Sequence, residues 1–146
     1  MENSKIVKTF TDSHITGDWE TYNSLCTEDF SLIGPGPEPL DKGAFLTWLK
    51  SVYNGNTDID NNVEVIESSG DSVKCSVQME GKHSNDWDLS FIGVGVIPAT
   101  NKSWKNPKEE MIVTTREGKV TKIEVSVPKD GGIPGILSQL GVKMPE

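Results

Sequence analysis

The stretch that decides the fold is residues 73–104, which read VKCSVQMEGKHSNDWDLSFIGVGVIPATNKSW. Over 73–84, apolar residues alternate with polar ones, and this period of two predicts a strand with one buried face and one solvent-facing face. Alternate residues of a strand share one face, and His83, at the far end of the strand, shares the face of the apolar residues that we expect to be buried. The chain returns through a second predicted strand, 87–97, and turns at 98–102. Apolar walls with one histidine at the rim predict an internal pocket rather than a plain core.

Length and composition predict one globular domain over residues 1–146, because 34% hydrophobic and 25% charged residues are ordinary for such a domain. The net charge of −8 argues against binding to nucleic acid or to an anionic membrane, since both favour clustered Lys and Arg. No secretory signal or membrane-spanning run is recognisable, so we expect a cytoplasmic protein. Cys26 and Cys75 are predicted to be free buried thiols, and no motif predicts a metal or cofactor site.

The order of the elements predicts an α+β fold, with helices first and an antiparallel sheet afterwards. An apolar stripe predicts a first helix over 3–15, and His14, where this stripe ends, is expected at the surface. Asp18 and Asp41 are predicted to cap the second and third helices. The rest of the chain has the pattern of strands until a short helix that begins near Pro134.

The predicted strand 87–97 is apolar on both parities, although an antiparallel strand with one face in the core should be polar on the other. A second copy of the chain is the simplest cover for the outer face. The outward residues of this predicted homodimer contact are Ile92, Val94 and Val96. Gly93 and Gly95 lie on the inner parity, where a sharply curved sheet lacks room for side chains.

Four segments resemble motifs of the SnoaL-like polyketide cyclases, a family of the NTF2-like superfamily. Residues 81–84 (Gly-Lys-His-Ser) are similar to the family's Gly-x-His-Thr strand, and 97–102 (Ile-Pro-Ala-Thr-Asn-Lys) to its Pro-x-Thr-Gly-Lys hairpin. Residues 116–120 (Arg-Glu-Gly-Lys-Val) resemble its Arg-x-Asp-Gly-Lys-Ile turn. Residues 136–141 (Ile-Leu-Ser-Gln-Leu-Gly) resemble its closing Leu-Leu-x-Gln-Leu-Gly helix. The resemblance to the family spans nearly the whole chain.

The resemblance implies a cone of helices packed on a curved antiparallel sheet, with a pocket inside the cone and often a dimeric assembly. It also implies acid–base chemistry without a cofactor, such as the aldol ring closure of a polyketide. The family typically has a tryptophan on its last strand and a carboxylate soon after it. Here the strand at 123–127 has no tryptophan, and Asp130 is the nearest acid to the expected position.

Two residues are the candidates for catalysis. His83 would polarise or protonate a ligand carbonyl, and Asp130 (or Glu124) would remove a proton. Alternatively, His83 is a structural residue that hydrogen-bonds Asp86 or Asp88 at the end of the sheet. Asp130 likewise fits an Asx-turn or a cap for the last helix.

Large side chains on the buried faces are candidates for ligand contact, although such residues often pack only in a core. The ligand-binding candidates are Tyr22, Trp48, Met79, Trp87 and Phe91. The leading hypothesis is a cofactor-independent cyclase or isomerase that acts on a hydrophobic carbonyl compound. The alternatives are a non-catalytic carrier or sensor of an apolar ligand, which the missing tryptophan favours, and a dimerisation or protein-interaction module.

Overall fold

The structure, a computed structural model, describes residues 2–142, which form four α-helices and eleven strands. The helices are α1 (Asn3–Thr16), α2 (Trp19–Leu25), α3 (Lys42–Gly55) and α4 (Gly132–Leu140). The strands are β1 (Cys26–Ile33), β2 (Leu40–Asp41), β3 (Thr57–Asp60), β4 (Glu64–Ser69), β5 (Ser72–Val77), β6 (Glu80–Lys82), β7 (Trp87–Asp88), β8 (Val96–Ile97), β9 (Ser103–Lys105), β10 (Glu109–Arg116) and β11 (Lys119–Ser126). None of the helices in the described part of the chain is long and apolar enough to cross a membrane.

The main sheet has six strands in the order β2-β1-β11-β10-β5-β4. All its neighbouring strands are antiparallel except β1 and β11, which run parallel with Leu32 opposite Ile123. A parallel pair needs a long connection, and most of the chain lies between these two strands. The predicted α+β fold is therefore confirmed, but the sheet is mixed rather than purely antiparallel.

The helix ends follow the capping residues that the sequence contains. The Asp18 side chain accepts a hydrogen bond from the Thr21 N–H at 3.1 Å, and Asp41 accepts one from the Ala44 N–H at 2.8 Å. Gly17 ends α1 in the left-handed conformation, with φ = 72°, which costs glycine less than any other residue. These caps fix where α1 ends and where α2 and α3 begin, and both α1 and α3 pack near the main sheet.

Buried side chains form two clusters. The first lies between the helices and the main sheet, and its largest members are Phe10, Tyr22, Phe30, Phe45 and Leu49. The second lies beneath α4 and contains Trp87, Leu89, Trp104, Ile136 and Leu137. Trp48 contacts both clusters and therefore links them.

The predicted strand 73–84 is two strands, β5 and β6, which belong to different sheets. Between them, the Gln78 N–H donates to the backbone oxygen of Asn61, and the Asn62 side chain donates to the Gln78 carbonyl. These hydrogen bonds take the place of the bonds between neighbouring strands that a continuous strand would make. The side chains nevertheless keep alternating between the two faces from β5 to β6. Periodicity alone therefore does not reveal that the strand is divided.

The predicted strand 87–97 is wrong for its central residues, because Ser90–Ile92 form a 3-10 helix between β7 and β8. The Asp88 side chain accepts from the Ser90 N–H at 2.9 Å, and the Leu89 N–H donates to the Gly95 carbonyl at 2.8 Å. Gly93 and Gly95 have φ values of 80° and 86°, so they close a tight loop rather than relieve the curvature of a sheet. The residues predicted for a dimer contact consequently do not share one strand face.

Candidate functional site

A cavity of about 120 Å³ lies between the helices and the inner face of the main sheet. A buried water needs roughly 10–15 Å³ by the same kind of measure, so the cavity has room for an organic molecule. Its walls are mostly apolar and include Leu32, Phe45, Trp48, Val77, Met79, Met111, Ile123 and Val125. The polar lining residues are Thr11, His14, Asn61, Asn106 and Glu109. An apolar concavity with a few polar groups is the usual form of a small-molecule site.

His14 lies in a cage of aromatic rings at the α1 side of the cavity. Its imidazole centroid is 4.7 Å from that of Phe10, 5.5 Å from that of Phe45 and 5.8 Å from that of Tyr22. Burial lowers the pKa of His14 to about 3, because the charged imidazolium would lose its hydration there. The ring is therefore neutral at pH 7. Its Nε2 is buried and has no hydrogen-bond partner among the described residues.

The expectation that His14 lies at the surface is wrong. The apolar stripe of α1 runs through Ile6, Val7 and Phe10, and His14 continues it four residues after Phe10. Residues four apart lie on one face of a helix, so this spacing already favoured an inward position. The polarity of the side chain concealed that signal.

Glu109 lies on the inward-facing parity of β10, together with Met111 and Val113. Its neighbour across the sheet is Val77, and both residues line the cavity. Burial raises the pKa of the Glu109 carboxyl, and a hydrogen bond from the backbone of Gly132 opposes this shift. None of the salt bridges between described residues includes Glu109. Shifted pKa values of this kind are common at functional sites, so Glu109 is a candidate for proton exchange.

Glu109 is not among the predicted site residues, although it lies in the part of the chain for which the sequence predicts strands. The missed signal is the parity of β10, since Met111 and Val113 are apolar and Glu109 shares their face. An acidic residue on the core-facing parity of a strand is unusual unless it has a partner or a function.

Two asparagines at the cavity hold the surrounding elements together. The Asn61 side chain donates to the Thr11 carbonyl of α1 at 3.2 Å. The Asn106 side chain donates to the Gly132 carbonyl at 3.1 Å and accepts from Gln139 of α4 at 3.0 Å. Asn106 is 2% exposed and thus fixes α4 against the sheet edge.

Replacing Asn106 with alanine is expected to lower the free energy of unfolding by about 2 kcal/mol, because the Gln139 and Gly132 groups lose their partner in a buried site. The matched control is Asn23→Ala on the exposed surface of α2, which should change stability by less than about 0.5 kcal/mol. Urea unfolding measures both. Equal midpoints for the two variants would show that Asn106 is not a structural support.

Two of the five ligand-binding candidates, Trp48 and Met79, line the cavity. Tyr22 is fully buried in the first cluster and donates its hydroxyl to the Lys42 carbonyl at 2.8 Å. Trp87 is fully buried in the second cluster and donates its indole N–H to Ser51 Oγ at 3.0 Å. Phe91 lies on the 3-10 helix, where its side chain is 42% exposed. These last three side chains do not line the cavity.

His83 is fully buried but does not line the cavity. Its Nδ1 lies 3.0 Å from the Thr100 hydroxyl and accepts from the Thr100 backbone N–H at 3.3 Å. Backbone bonds with Asn101 and Lys102 also tie it to the turn at 98–102. Burial lowers the pKa of His83, while the Ile97 carbonyl and the charge of Asp86 oppose this shift. The structural interpretation of this residue fits best, with Thr100 as the partner in place of Asp86 or Asp88.

The carboxylates predicted to accompany His83 also lie outside the cavity. Asp130 is exposed in the turn after β11, where the Gly131 N–H donates to the Pro128 carbonyl at 2.9 Å. Glu124 pairs with Ile112 across the sheet and lies 3.5 Å from the Lys122 ammonium. The structure thus brings His14 and Glu109 to one cavity, and it does not bring His83, Asp130 or Glu124 there.

No family model matches the sequence, and no curated protein matches it. Solved structures do match. IdmH from Streptomyces antibioticus, a proposed polyketide cyclase, is 22% identical, with a TM-score of 0.72 over 97% of this chain and 100% of its own. AclR from Streptomyces galilaeus, a proposed hydroxylase, is 12% identical, with a TM-score of 0.71 over 98% and 97%. An NTF2-like protein from Burkholderia xenovorans LB400 is 21% identical, with a TM-score of 0.63 over 94% of each chain. The chain therefore has the NTF2-like fold that its resemblance to SnoaL-like polyketide cyclases predicts.

Proposed function

We propose that the chain binds a small hydrophobic carbonyl compound in the cavity and transfers a proton on it without a cofactor. The observation that carries this proposal is the position of Glu109 and His14, two ionisable groups in the lining of one mostly apolar cavity. Their pKa values shift in opposite directions, upward for Glu109 and downward for His14. Burial thus favours the neutral form of both groups, and ionisable groups with shifted pKa values in a cavity are typical of acid–base sites.

Each of the two groups has a distinct role in this proposal. Glu109 removes a proton from the carbon next to the ligand carbonyl, since a raised pKa makes its carboxylate a stronger base. The neutral imidazole of His14 donates a hydrogen bond to the carbonyl oxygen, where negative charge develops as the proton leaves. Aldol closure, isomerisation and dehydration of a carbonyl compound all begin with such a step. A cyclase or isomerase of SnoaL type is the corresponding class of enzyme.

Exchange of hydrogen for deuterium tests this proposal without knowledge of the natural substrate. The probe is 2-acetylnaphthalene, a flat apolar ketone whose methyl hydrogens are lost only after proton removal next to the carbonyl. In D₂O, the protein is expected to accelerate the disappearance of the methyl signal in the proton NMR spectrum above the rate in buffer. If the protein binds the ketone but the methyl hydrogens exchange at the rate measured in buffer, the enzyme hypothesis is contradicted and the carrier hypothesis is supported.

The carrier is the second candidate, and one observation favours it. The two residues to which the family resemblance gives catalytic roles, His83 and Asp130, lie outside the cavity. A carrier needs only the apolar walls and a polar group to orient its ligand. In addition, shared folds host many unrelated activities, so the names of IdmH and AclR do not decide between these candidates.

A homodimer through the loop at 90–97 is also part of the proposal. Ile92 and Val96 are 41% and 55% exposed, which suits a contact with a second copy, whereas Val94 packs against the second cluster. Replacing Val96 with aspartate is expected to convert a dimer into a monomer, because the contact would have to bury a carboxylate. Light scattering measures the mass. If the Val96→Asp variant is still a dimer, the homodimer contact does not lie at residues 90–97.

A further inference from the structure

We propose that the cavity accepts uncharged or cationic molecules and rejects anions, and that Glu109 is the residue that imposes this selection. The inference rests on the proposed function, because it concerns the same cavity, and it goes further by naming the class of occupant. The occupants that it favours are apolar ketones, alcohols and amines. Free carboxylic acids and phosphorylated compounds are the class that it excludes.

The first argument is the charge of the lining. Glu109 is the one formally charged side chain among the described residues that line the cavity, and no Lys or Arg is among them. The other titratable lining group, His14, is neutral at pH 7 because its pKa is about 3. A buried anion would therefore lose its hydration without gaining a cation, and burial of an unpaired charge is strongly unfavourable.

The second argument is the shortage of free hydrogen-bond donors. The Asn61 and Asn106 side-chain amides each already donate one of their two N–H hydrogens, to the carbonyls of Thr11 and Gly132. The Thr11 hydroxyl donates to the Lys8 carbonyl at 3.1 Å. Anion sites in proteins are built from several donors that converge on one point. The polar side chains of this cavity instead donate hydrogen bonds to the protein's own carbonyl groups.

The third argument is the position of the carboxyl group. Glu109 lies opposite Val77 in the sheet and on the same face as Met111, and all three residues line the cavity. None of the salt bridges in the described part of the chain neutralises it. An ammonium group on an apolar ligand would provide the missing partner, whereas a ligand carboxylate would meet a like charge.

Three probes of one shape test the selection. They are 2-acetylnaphthalene (neutral), naphthalen-2-ylmethylamine (cationic) and 2-naphthoate (anionic), each titrated calorimetrically at neutral pH. With the unmodified protein, the amine is expected to bind at least as tightly as the ketone. The naphthoate is expected to bind at least roughly tenfold more weakly than the ketone, as for like charges that meet across an interface.

Comparing the variants Glu109→Gln and Glu110→Gln shows whether ligand charge is selected by a carboxylate inside the cavity or by the long-range electrostatic field of the whole protein. Each removes one negative charge, so the long-range field of a chain with net charge −8 changes equally in both. Glu110 is exposed on the opposite face of β10, 3.9 Å from the Lys74 ammonium. Glu109→Gln is expected to reduce the ratio of amine to naphthoate affinity at least roughly tenfold, and Glu110→Gln to leave it unchanged.

Two results would overturn the selection and leave the proposed function standing. One is naphthoate binding as tight as that of the ketone, and the other is an equal response of the two variants. If the ketone itself does not bind, the proposed function is contradicted, and so is the proposed selection of uncharged and cationic ligands.

Discussion

Replacing Glu109 with glutamine is expected to slow the exchange of 2-acetylnaphthalene methyl hydrogens at least roughly a hundredfold, the range in which one general base contributes to a rate. Glutamine has nearly the same shape as glutamate but cannot accept a proton at neutral pH. The cavity and its lining should therefore persist while proton removal is lost. The proton NMR signal of the methyl group in D₂O gives the rate, and calorimetry shows whether the ketone still binds.

Glu110→Gln is the matched control for this change. It makes the same chemical substitution one residue further along β10, on the face that points away from the cavity. Its exchange rate should equal that of the unmodified protein. If both variants keep the full rate, Glu109 is not the base, and the assignment of proton transfer to this cavity is wrong.

Replacing His14 with phenylalanine is expected to remove part of the acid sensitivity of the fold. In the unfolded chain, His14 has its ordinary pKa of 6.5, whereas burial lowers it to about 3 in the folded chain. Between these values the unfolded state binds a proton that the folded state does not. The free energy of unfolding therefore falls as the pH falls through this window, by about 1.4 kcal/mol per pH unit from this residue.

Phenylalanine has no such titration and suits the surroundings, since the rings of Phe10, Tyr22 and Phe45 already contact the imidazole. The stability of His14→Phe relative to the unmodified protein should therefore increase by roughly 2–3 kcal/mol between pH 7.5 and pH 4.5. Urea unfolding at both pH values measures this change, and carboxyl titrations cancel in the comparison. Parallel pH profiles would mean that His14 is hydrated and titrates normally in the folded protein.

Local chemistry made the helices predictable. Asp18 and Asp41 cap their helices as the sequence indicated, and Gly17 ends α1 with a positive φ. Such signals act within three or four residues, so they survive in any tertiary context. The turn that the family resemblance gives at 116–120 is the hairpin between β10 and β11, where Glu117 and Gly118 both have positive φ values.

The loop at 87–97 was not predictable from periodicity. Its alternating apolar residues fit a strand, but the backbone follows the Asp88 side-chain bond and the two left-handed glycines. Glycine fits both a curved strand and a tight loop, and only the tertiary partners of the segment decide between them. The homodimer contact predicted from this segment assumed one continuous strand, whereas in the structure Ile92 and Val96 are exposed and Val94 packs against the second cluster.

The candidate site shows the same limit. Trp48 and Met79 were chosen for large apolar side chains on buried faces, and both line the cavity. His14 and Glu109 lie on the buried faces of α1 and β10, but a polar residue at the end of an apolar pattern is normally a sign that the pattern has ended. His83 had the burial expected for a site residue, yet it is engaged by Thr100 away from the cavity. The pattern of apolar and polar residues along an element predicts which side chains are buried. It does not predict which buried polar side chain lines a cavity.

The most direct test of the account is the methyl NMR spectrum of the protein with ¹³C-labelled methionine, recorded as 2-acetylnaphthalene is added. Met79 and Met111 both line the cavity, and the variants Met79→Leu and Met111→Leu assign their signals. An aromatic ketone inside the cavity should shift both signals and saturate with one molecule bound per chain. If both signals stay in place at saturating ketone, the cavity is not a binding site, and the function proposed for it is wrong.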